Sequence, residues 1–554
     1  MDDLKYFPSA LETPRPYQLE IARQIVDYFD KYRYVVFLGP TGAGKSAIAV
    51  TVHNMLASKI RGASSFFVTP YKILQSQYLE TDSSARMYVG RNEYACNCSG
   101  TKGMNCAEGY LYFSESKKAF SSGPDCPYEK SKLLCKISPI IVANYPSYLY
   151  GNSSINGIFG SRHLMVCDEA HRIENHIINY IAPTIDTDIL QVINFDWDGL
   201  TKTLENVEAG ARGANQKEGL LRLMTVYKRA TQYYDYLNIQ IKDGKASKIE
   251  VKKLDLLSRF LPSLNFMFKR GSNFNDLLKN WFITYKEGET LSARPVRLSC
   301  DQSQVLFGKV EKVLAMSATI TFEHFCGLLS IPEEQVKYVE FPSYFPPENR
   351  PVYIGFKEEL TRSKLDKNIG GIFDLTISRI KKILLKHRNQ KGVIHVTSYY
   401  EMGMVRKALK GWKESGHYFI YLDQEKDKNV LINKHKDINV PSILISPAIK
   451  EGLDLKGRLA EFQIIFKVPY YYLDDFIKFR LRTGQKLEDF RYWSDWYQYS
   501  ALEMVAQAAG RGVRSATDVC PTYILDGQIN KVLKSCKKYL WKYFEVSLVD
   551  ETGL

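Results

Sequence analysis

Tyr34-Val35-Val36-Phe37-Leu38 runs directly into Gly39-Pro40-Thr41-Gly42-Ala43-Gly44-Lys45-Ser46, and a helical pattern begins at Lys45. A short β-branched and aromatic run closed by glycine reads as a buried strand. The loop after it fits G-x-x-x-x-G-K-[ST]. In such a loop the glycines let successive backbone N–H groups converge on phosphate oxygens. Lys45 reaches the β- and γ-phosphates, and the Ser46 hydroxyl ligates Mg²⁺. The helix that follows adds the positive end of its dipole. Gly39, Thr41, Gly42, Ala43, Gly44, Lys45 and Ser46 are therefore the expected nucleotide-binding residues.

Outward from this loop the pattern alternates. Ser65–Pro70, Pro139–Ala143 and His163–Cys167 are further short apolar runs, with helical stretches between them. Such alternation predicts an α/β fold with a parallel sheet. The third run ends in Asp168-Glu169-Ala170-His171. An acid at the end of a buried strand is placed to hold Mg²⁺, and a second acid beside it to orient the attacking water. Asp168 is read as the metal-side acid and Glu169 as the water-polarising base.

The chain has 554 residues, which predicts about three to five domains at the usual domain size. Apolar residues make up 45% and charged residues 25%, which excludes a disordered chain. No apolar run reaches the ~18 residues of a membrane span, so no membrane partner is expected. Met1-Asp2-Asp3-Leu4-Lys5 has neither the basic nor the apolar part of a secretory signal. The expected location is intracellular, in the cytoplasm of a bacterial or phage-infected cell or in a nucleus. The net charge of +14 favours an anionic partner such as nucleic acid. The 37 tyrosines are too many to signal DNA binding by number alone.

Five of the ten cysteines, Cys96, Cys98, Cys106, Cys126 and Cys135, fall within 40 residues. Without an export signal this crowding reads as a metal site rather than a disulfide framework. The surrounding segment, 91–137, is rich in Gly, Ser, Asn and Lys and reads as an insertion with little core of its own. Residues 176–295 read as a second, mostly helical insertion, with Leu220, Leu223, Met224, Tyr227 and Tyr234 near helical spacing. The sheet pattern resumes at Val313–Met316. A second α/β region follows, with strands expected at 392–396, 442–445, 462–466 and 522–525.

That second region has its own signals. Gln507-Ala508-Ala509-Gly510-Arg511-Gly512-Val513-Arg514 puts two arginines three apart, on one face if helical. An arginine supplied to a γ-phosphate stabilises developing charge and is worth about 10³–10⁵ in rate. Ser317-Ala318-Thr319 and Glu451-Gly452-Leu453-Asp454-Leu455 each follow a strand, and they gain meaning from their order in the chain.

Taken in order, these segments resemble the XPD/DinG-type iron–sulfur DNA helicases of superfamily 2. Arg15-Pro16-Tyr17-Gln18 is similar to the family's adenine-side motif. Gly90–Cys96, Cys126-Pro127-Tyr128 and Asn144-Tyr145 resemble the segments that enter and leave its cluster. Asp168–His171 matches its DEAH box, and Ile449–Leu455 and Gln507–Arg514 match its motifs five and six. The resemblance implies two RecA-like domains, the first formed by 1–90, 138–175 and 296–340 and the second by 341–554. A cluster-bearing insertion occupies 91–137 and an arch-like insertion 176–295.

The resemblance further implies ATP hydrolysis on Lys45, Asp168, Glu169, Gln507, Arg511 and Arg514. Arg15, Gln18, Gly452 and Asp454 would add to the nucleotide contacts, with Mg²⁺ on Ser46 and Asp168. A monomeric motor is implied, stepping 5′→3′ on single-stranded DNA and opening fork or tailed duplexes; its protein partners are unknown. Thr69, Arg91, Tyr94, Ser398 and Tyr399 are the candidate DNA contacts, as hydroxyls and Arg hold phosphates and Tyr stacks on bases. Four thiolates commonly hold a [4Fe–4S] cluster. Cys96, Cys98, Cys106 and Cys126 are the expected set, with Cys135 as a substitute. The Cys96-Asn97-Cys98 spacing is tighter than the C-x₂-C of a typical metal knuckle, which leaves one of the two as a candidate bystander; Zn²⁺, which favours Cys₄ sites, is the alternative metal. An ATP-driven translocase that does not separate strands and an inactive nucleic-acid scaffold are the competing functions.

Overall fold

Phe66, Phe67, Val68, Leu164, Met165 and Val166 are all closed off from water, as expected of strands covered by helices on both faces. In this computed structural model the described residues are all but 1, 12, 16, 98–102, 104, 107–125, 153–156, 196–213, 244–246, 269–272, 287–289, 342, 424–427, 448–458, 487–489, 514 and 516. Cys98, Gly452, Asp454 and Arg514 therefore lie outside the described residues.

The chain divides into two compact units. The first comprises Met1–Val36, Ser46–Met316 and Phe322–Lys337; the second comprises Phe37–Lys45, Ser317–Thr321 and Tyr338–Leu554. Strands are β1 (Tyr34–Leu38), β2 (Ser65–Thr69), β3 (Arg86–Tyr88), β4 (Ile140–Asn144), β5 (Arg162–Cys167), β6 (Thr184–Ile185), β7 (Trp281–Lys286), β8 (Thr290–Pro295), β9 (Val310–Ser317) and β10 (Val336–Glu340). One seven-stranded sheet runs β10-β1-β9-β5-β2-β4-β3. Its β2–β4, β2–β5, β3–β4 and β5–β9 pairs are parallel. Val68 pairs with Cys167, and the Asp168 N–H donates to Val68 O at 2.9 Å. The acid pair is thereby held at the carboxyl end of the sheet, where open α/β folds bind ligands. The helix Lys45–Lys59 is apolar on most sides and buried from Ala47 to Val52, as a helix inside a large core must be.

The 176–295 stretch carries a small sheet beside its helices. Long helices are present at Ala214–Lys242 and Lys248–Met267, the second opened by a capping box between Ser247 and Glu250. Between them and β9, however, β7 and β8 form an antiparallel hairpin, and β6 completes a three-stranded sheet. Alternating burial of Leu291, Ala293 and Pro295 drives this pairing. The Gln216 side chain ties helix to hairpin, donating to Ile283 O at 2.6 Å and accepting from Ile283 N at 2.8 Å.

The second unit contains β11 (Val352–Tyr353), β12 (Gly392–His395), β13 (Tyr418–Tyr421), β14 (Ser442–Ser446), β15 (Phe462–Ile465), β16 (Thr522–Ile524) and β17 (Leu548–Val549). They form a parallel sheet in the order β13-β14-β12-β15-β16-β11-β17. Ile380, Ile383, Val405, Ile443, Ile445 and Ile464 are among the residues that fill one face. Among the described residues no helix is long and apolar enough to cross a membrane.

Candidate nucleotide site and nucleic-acid groove

The phosphate loop needs its glycines. Gly42 and Gly44 sit at φ of 80° and 74°, where a side chain is strained. A Cβ on Gly39 would come 2.7 Å from the Phe37 ring. Within the second unit, Gly39 N donates to Ser317 O at 3.0 Å, and Lys45 Nζ donates to Gly39 O at 3.1 Å.

In the first unit, Ser46 and Asp168 meet at one phenol. Tyr78, on the helix Lys72–Thr81, donates to Asp168 Oδ2 at 3.3 Å and shares a hydrogen bond with the Ser46 hydroxyl. Burial, then the Asp168 charge, holds this phenol well above its ordinary pKa, so it remains a donor. Glu169 adopts a left-handed backbone, φ 50° and ψ 50°, and its N–H donates to Asp168 Oδ1 at 3.0 Å. For a residue with a side chain this conformation costs about 1–3 kcal/mol, and such strain gathers at functional sites. His171 Nδ1 lies 3.4 Å from Glu169 Oε2. Tyr145 donates to Asp168 O at 2.9 Å and stacks on His176. Gln18 is buried and accepts the Arg15 N–H at 2.9 Å.

In the second unit, Thr319 is the junction. It accepts from Gln507 Nε2 at 3.0 Å and donates to Glu503 Oε1 at 2.9 Å, while its carbonyl accepts from Tyr499. Gly510 lies against the phosphate loop: a Cβ there would be 3.1 Å from Thr41 Oγ1. The backbone leading into Arg511 thus runs beside the glycine-rich loop at Thr41. Residues 11–194 match the family model for the res subunit of type III restriction enzymes, and 381–547 match a helicase C-terminal domain. The ATP-dependent DNA helicase YoaA of Haemophilus influenzae is 20% identical over 477 residues, which cover 78% of this chain and 68% of that protein. A solved XPD helicase has a TM-score of 0.57 at 17% identity, covering 97% of this chain and all of that one. The Xpd4 structure of S. tokodaii gives 0.52 at 16%, covering 94% and 98%. The chain has the fold of the XPD helicases.

Measured against the expected ligand set, the cysteines gather in part. Cys106 is hydrogen-bonded to Cys126; burial, then the neighbouring Cys126 thiol, pushes its pKa up to about 11, and Cys96 adds to the shift. An isolated bridge between Ala95 and Asn105 and a 2.7 Å bond from Cys106 N to Tyr94 O hold these two stretches together. Cys135 is not in this group. Its Sγ donates to Met87 O at 3.5 Å, and its carbonyl accepts from Arg162. Among the described residues no three His, Cys, Asp or Glu are gathered closely enough to hold a metal ion.

The expected DNA contacts fare differently. Thr69 is fully buried and its hydroxyl donates to Tyr71 O, so it faces protein rather than a strand. Tyr399 packs half-buried against the sheet's apolar face. Arg91 sits 4.5 Å over the Tyr128 ring and 3.7 Å from Glu129, and Tyr94 donates to Ser131. Ser398 caps the helix Tyr399–Leu409, accepting from Glu401 N at 3.2 Å.

Ser398 also lines a groove of ≈ 700 Å³ at the carboxyl ends of β12 and β15, with Arg362, Lys467, Tyr470, Tyr471 and Tyr472. Tyr470 stacks on Tyr497, and Tyr471 on Trp496. Tyr472 is 81% exposed. Tyrosine is common throughout the chain, so the only signal of this run is three in succession a few residues past the strand Phe462–Ile465.

Proposed function

We propose that the protein is an ATP-dependent DNA helicase that translocates on single-stranded DNA and opens duplex, with the family's 5′→3′ polarity. The observation that carries this reading is the Tyr78 phenol between Ser46 and Asp168. It gathers the loop hydroxyl and the strand-end carboxylate, the two ligand types that a Mg²⁺–ATP substrate requires, around one hydroxyl. Their oxygen chemistry suits a hard cation. When bound, Mg²⁺ would spread the charge of the phosphate oxygens. Lys45 holds the β- and γ-phosphates, and Glu169 takes the proton of the attacking water at its carboxylate. Arg511 balances the charge that develops on the transferred phosphoryl group, with Arg514 as the second arginine, and Gln507 is fixed by Thr319. Arg15 and Gln18 lie on the adenine side, and Gly452 and Asp454 complete the nucleotide contacts.

The tyrosine groove, with Ser398 at its helix N-terminus, is the second-unit contact for single-stranded DNA, bases stacking on Tyr and phosphates meeting Arg362 and Lys467. Arg91 and Tyr94 flank the cysteine segment. Cys96, Cys98, Cys106 and Cys126 hold a [4Fe–4S] cluster, with Zn²⁺ as the alternative. The pairing of Cys106 with Cys126 supports this set, and its role is to fold a segment poor in apolar residues. The protein acts as a monomer inside the cell.

The test is unwinding of duplexes with 5′ or 3′ tails in the presence of ATP. Opening of the 5′-tailed substrate supports the proposal. ATP turnover with neither substrate opened supports the translocase instead.

A further inference from the structure

Two polar side chains stand among apolar ones in the centre of the second sheet. His395 ends β12 and Gln463 lies in β15; both are fully buried. An unpaired buried amide costs about 1–3 kcal/mol, so a glutamine retained in such a strand must have its partners in place. Gln463 has three. Its Oε1 meets His395 Nε2 at 2.9 Å, and its Nε2 reaches Ala509 O at 3.3 Å and Cys520 Sγ at 3.5 Å.

The direction of the chain of bonds is set by chemistry. The amide oxygen accepts, so His395 carries its proton on Nε2. Its Nδ1 has no hydrogen-bond partner among the described residues. With its oxygen held, the Gln463 amide nitrogen must face Ala509. Ala509 is the last residue of the helix Phe490–Ala509, and its carbonyl belongs to the peptide that leads into Gly510 and Arg511.

The backbone here has little room to move. A Cβ on Gly512 would fall 2.1 Å from Cys520 Sγ, and one on Gly510 would press on Thr41 Oγ1. Arg511 is thus flanked by two glycines in close contact, while the helix end before it is fastened to the sheet through Gln463. We propose that Gln463, oriented by His395, is a positioning residue that sets the place of Arg511 for ATP hydrolysis. This inference rests on the reading of Arg511 as the charge-stabilising arginine.

A double-mutant cycle separates the two. Gln463→Met keeps the side-chain length and removes both hydrogen-bond functions. It should lower kcat for ATP by about 10- to 100-fold, the scale of a ~1 Å misplacement, and leave KM for ATP within about twofold. In the Arg511→Ala background the same substitution should cost almost nothing further, since its target is gone. His395→Phe should give the same kcat-only signature, and it takes the place of Gln463→Met in the cycle if that variant does not melt cooperatively. Arg511→Ala lowering kcat while the Gln463 or His395 effect is absent or fully additive would overturn the positioning role and leave the arginine reading intact. Unchanged kcat in Arg511→Ala alone would overturn the arginine reading, and the positioning role with it.

Discussion

The hydroxyl of Tyr78 lies 3.3 Å from Oδ2 of Asp168 and shares a hydrogen bond with Ser46. A phenol in this place orients the two groups expected to hold the metal. Tyr78→Phe removes it at little cost in shape. By analogy with lost outer-shell partners, Mg²⁺ affinity should fall about 10-fold. Titrating Mg²⁺ against binding of a fluorescent ATP analogue measures this; an unchanged midpoint would show that the phenol has no part in holding the metal ligands.

The cysteines divide by location. Cys106 and Cys126 touch each other, whereas Cys135 is bonded to Met87 O. Cys106→Ser and Cys126→Ser should therefore lose bound metal, and Cys135→Ala should keep it. Iron and zinc measured on protein purified without air decide both points, including which metal is present. Metal lost from Cys135→Ala alone would reverse the assignment.

In the groove, Tyr472 presents most of its ring to solvent beside the stacked pairs Tyr470–Tyr497 and Tyr471–Trp496. Tyr472→Ala should weaken single-strand binding by about tenfold, within the ~1–3 kcal/mol of one base stack. Lys467→Ala should instead reduce the salt dependence. Fluorescence anisotropy with a labelled oligonucleotide at several salt concentrations separates the two. Equal affinity in Tyr472→Ala would remove the groove from the DNA path.

The buried His53 and His395 and the half-buried His176 make stability depend on pH. His53, His176 and His395 are each pushed down from 6.5 to about 4, chiefly by burial. Asp82 opposes the shift at His53 and Arg162 adds to it; Arg172 adds to it at His176; at His395 the Gln463 hydrogen bond opposes it and Arg511 adds to it. The unfolded chain binds more protons than the native one between these values. The stability contributed by neutral histidine is therefore full above pH 6.5 and is lost as pH falls through about 4. At pH 5 each histidine accounts for a loss on the order of 2 kcal/mol. Tm should drop steeply from pH 7 to pH 5, and a flat profile would contradict the burial of these rings.

Much of the site was legible because its residues are contiguous. The phosphate loop, Asp168-Glu169 and Gln507–Arg511 each pair a strand or helix signal with residues of one chemistry. What was not legible depends on residues far apart in sequence. Tyr78 reads as one more apolar position on a helix, and only the fold brings it to Asp168. Glu503 joins Thr319 across 184 residues. Gln463 did leave a trace, as a lone amide between Phe462 and Ile464, and His395 likewise follows Val393-Ile394. The β7–β8 hairpin was hidden by the helices before it, although Trp281, Ile283 and Tyr285 alternate with period two.

The central claim is that Lys45 and Asp168 serve ATP hydrolysis that drives movement on DNA. Its most direct test is ATP turnover by the intact protein and by Lys45→Ala, each with and without single-stranded DNA, with strand binding measured on the same samples. The account predicts turnover stimulated by DNA in the intact protein, and none in Lys45→Ala although the strand is still bound. Retained turnover in Lys45→Ala, or turnover indifferent to DNA in the intact protein, would contradict it.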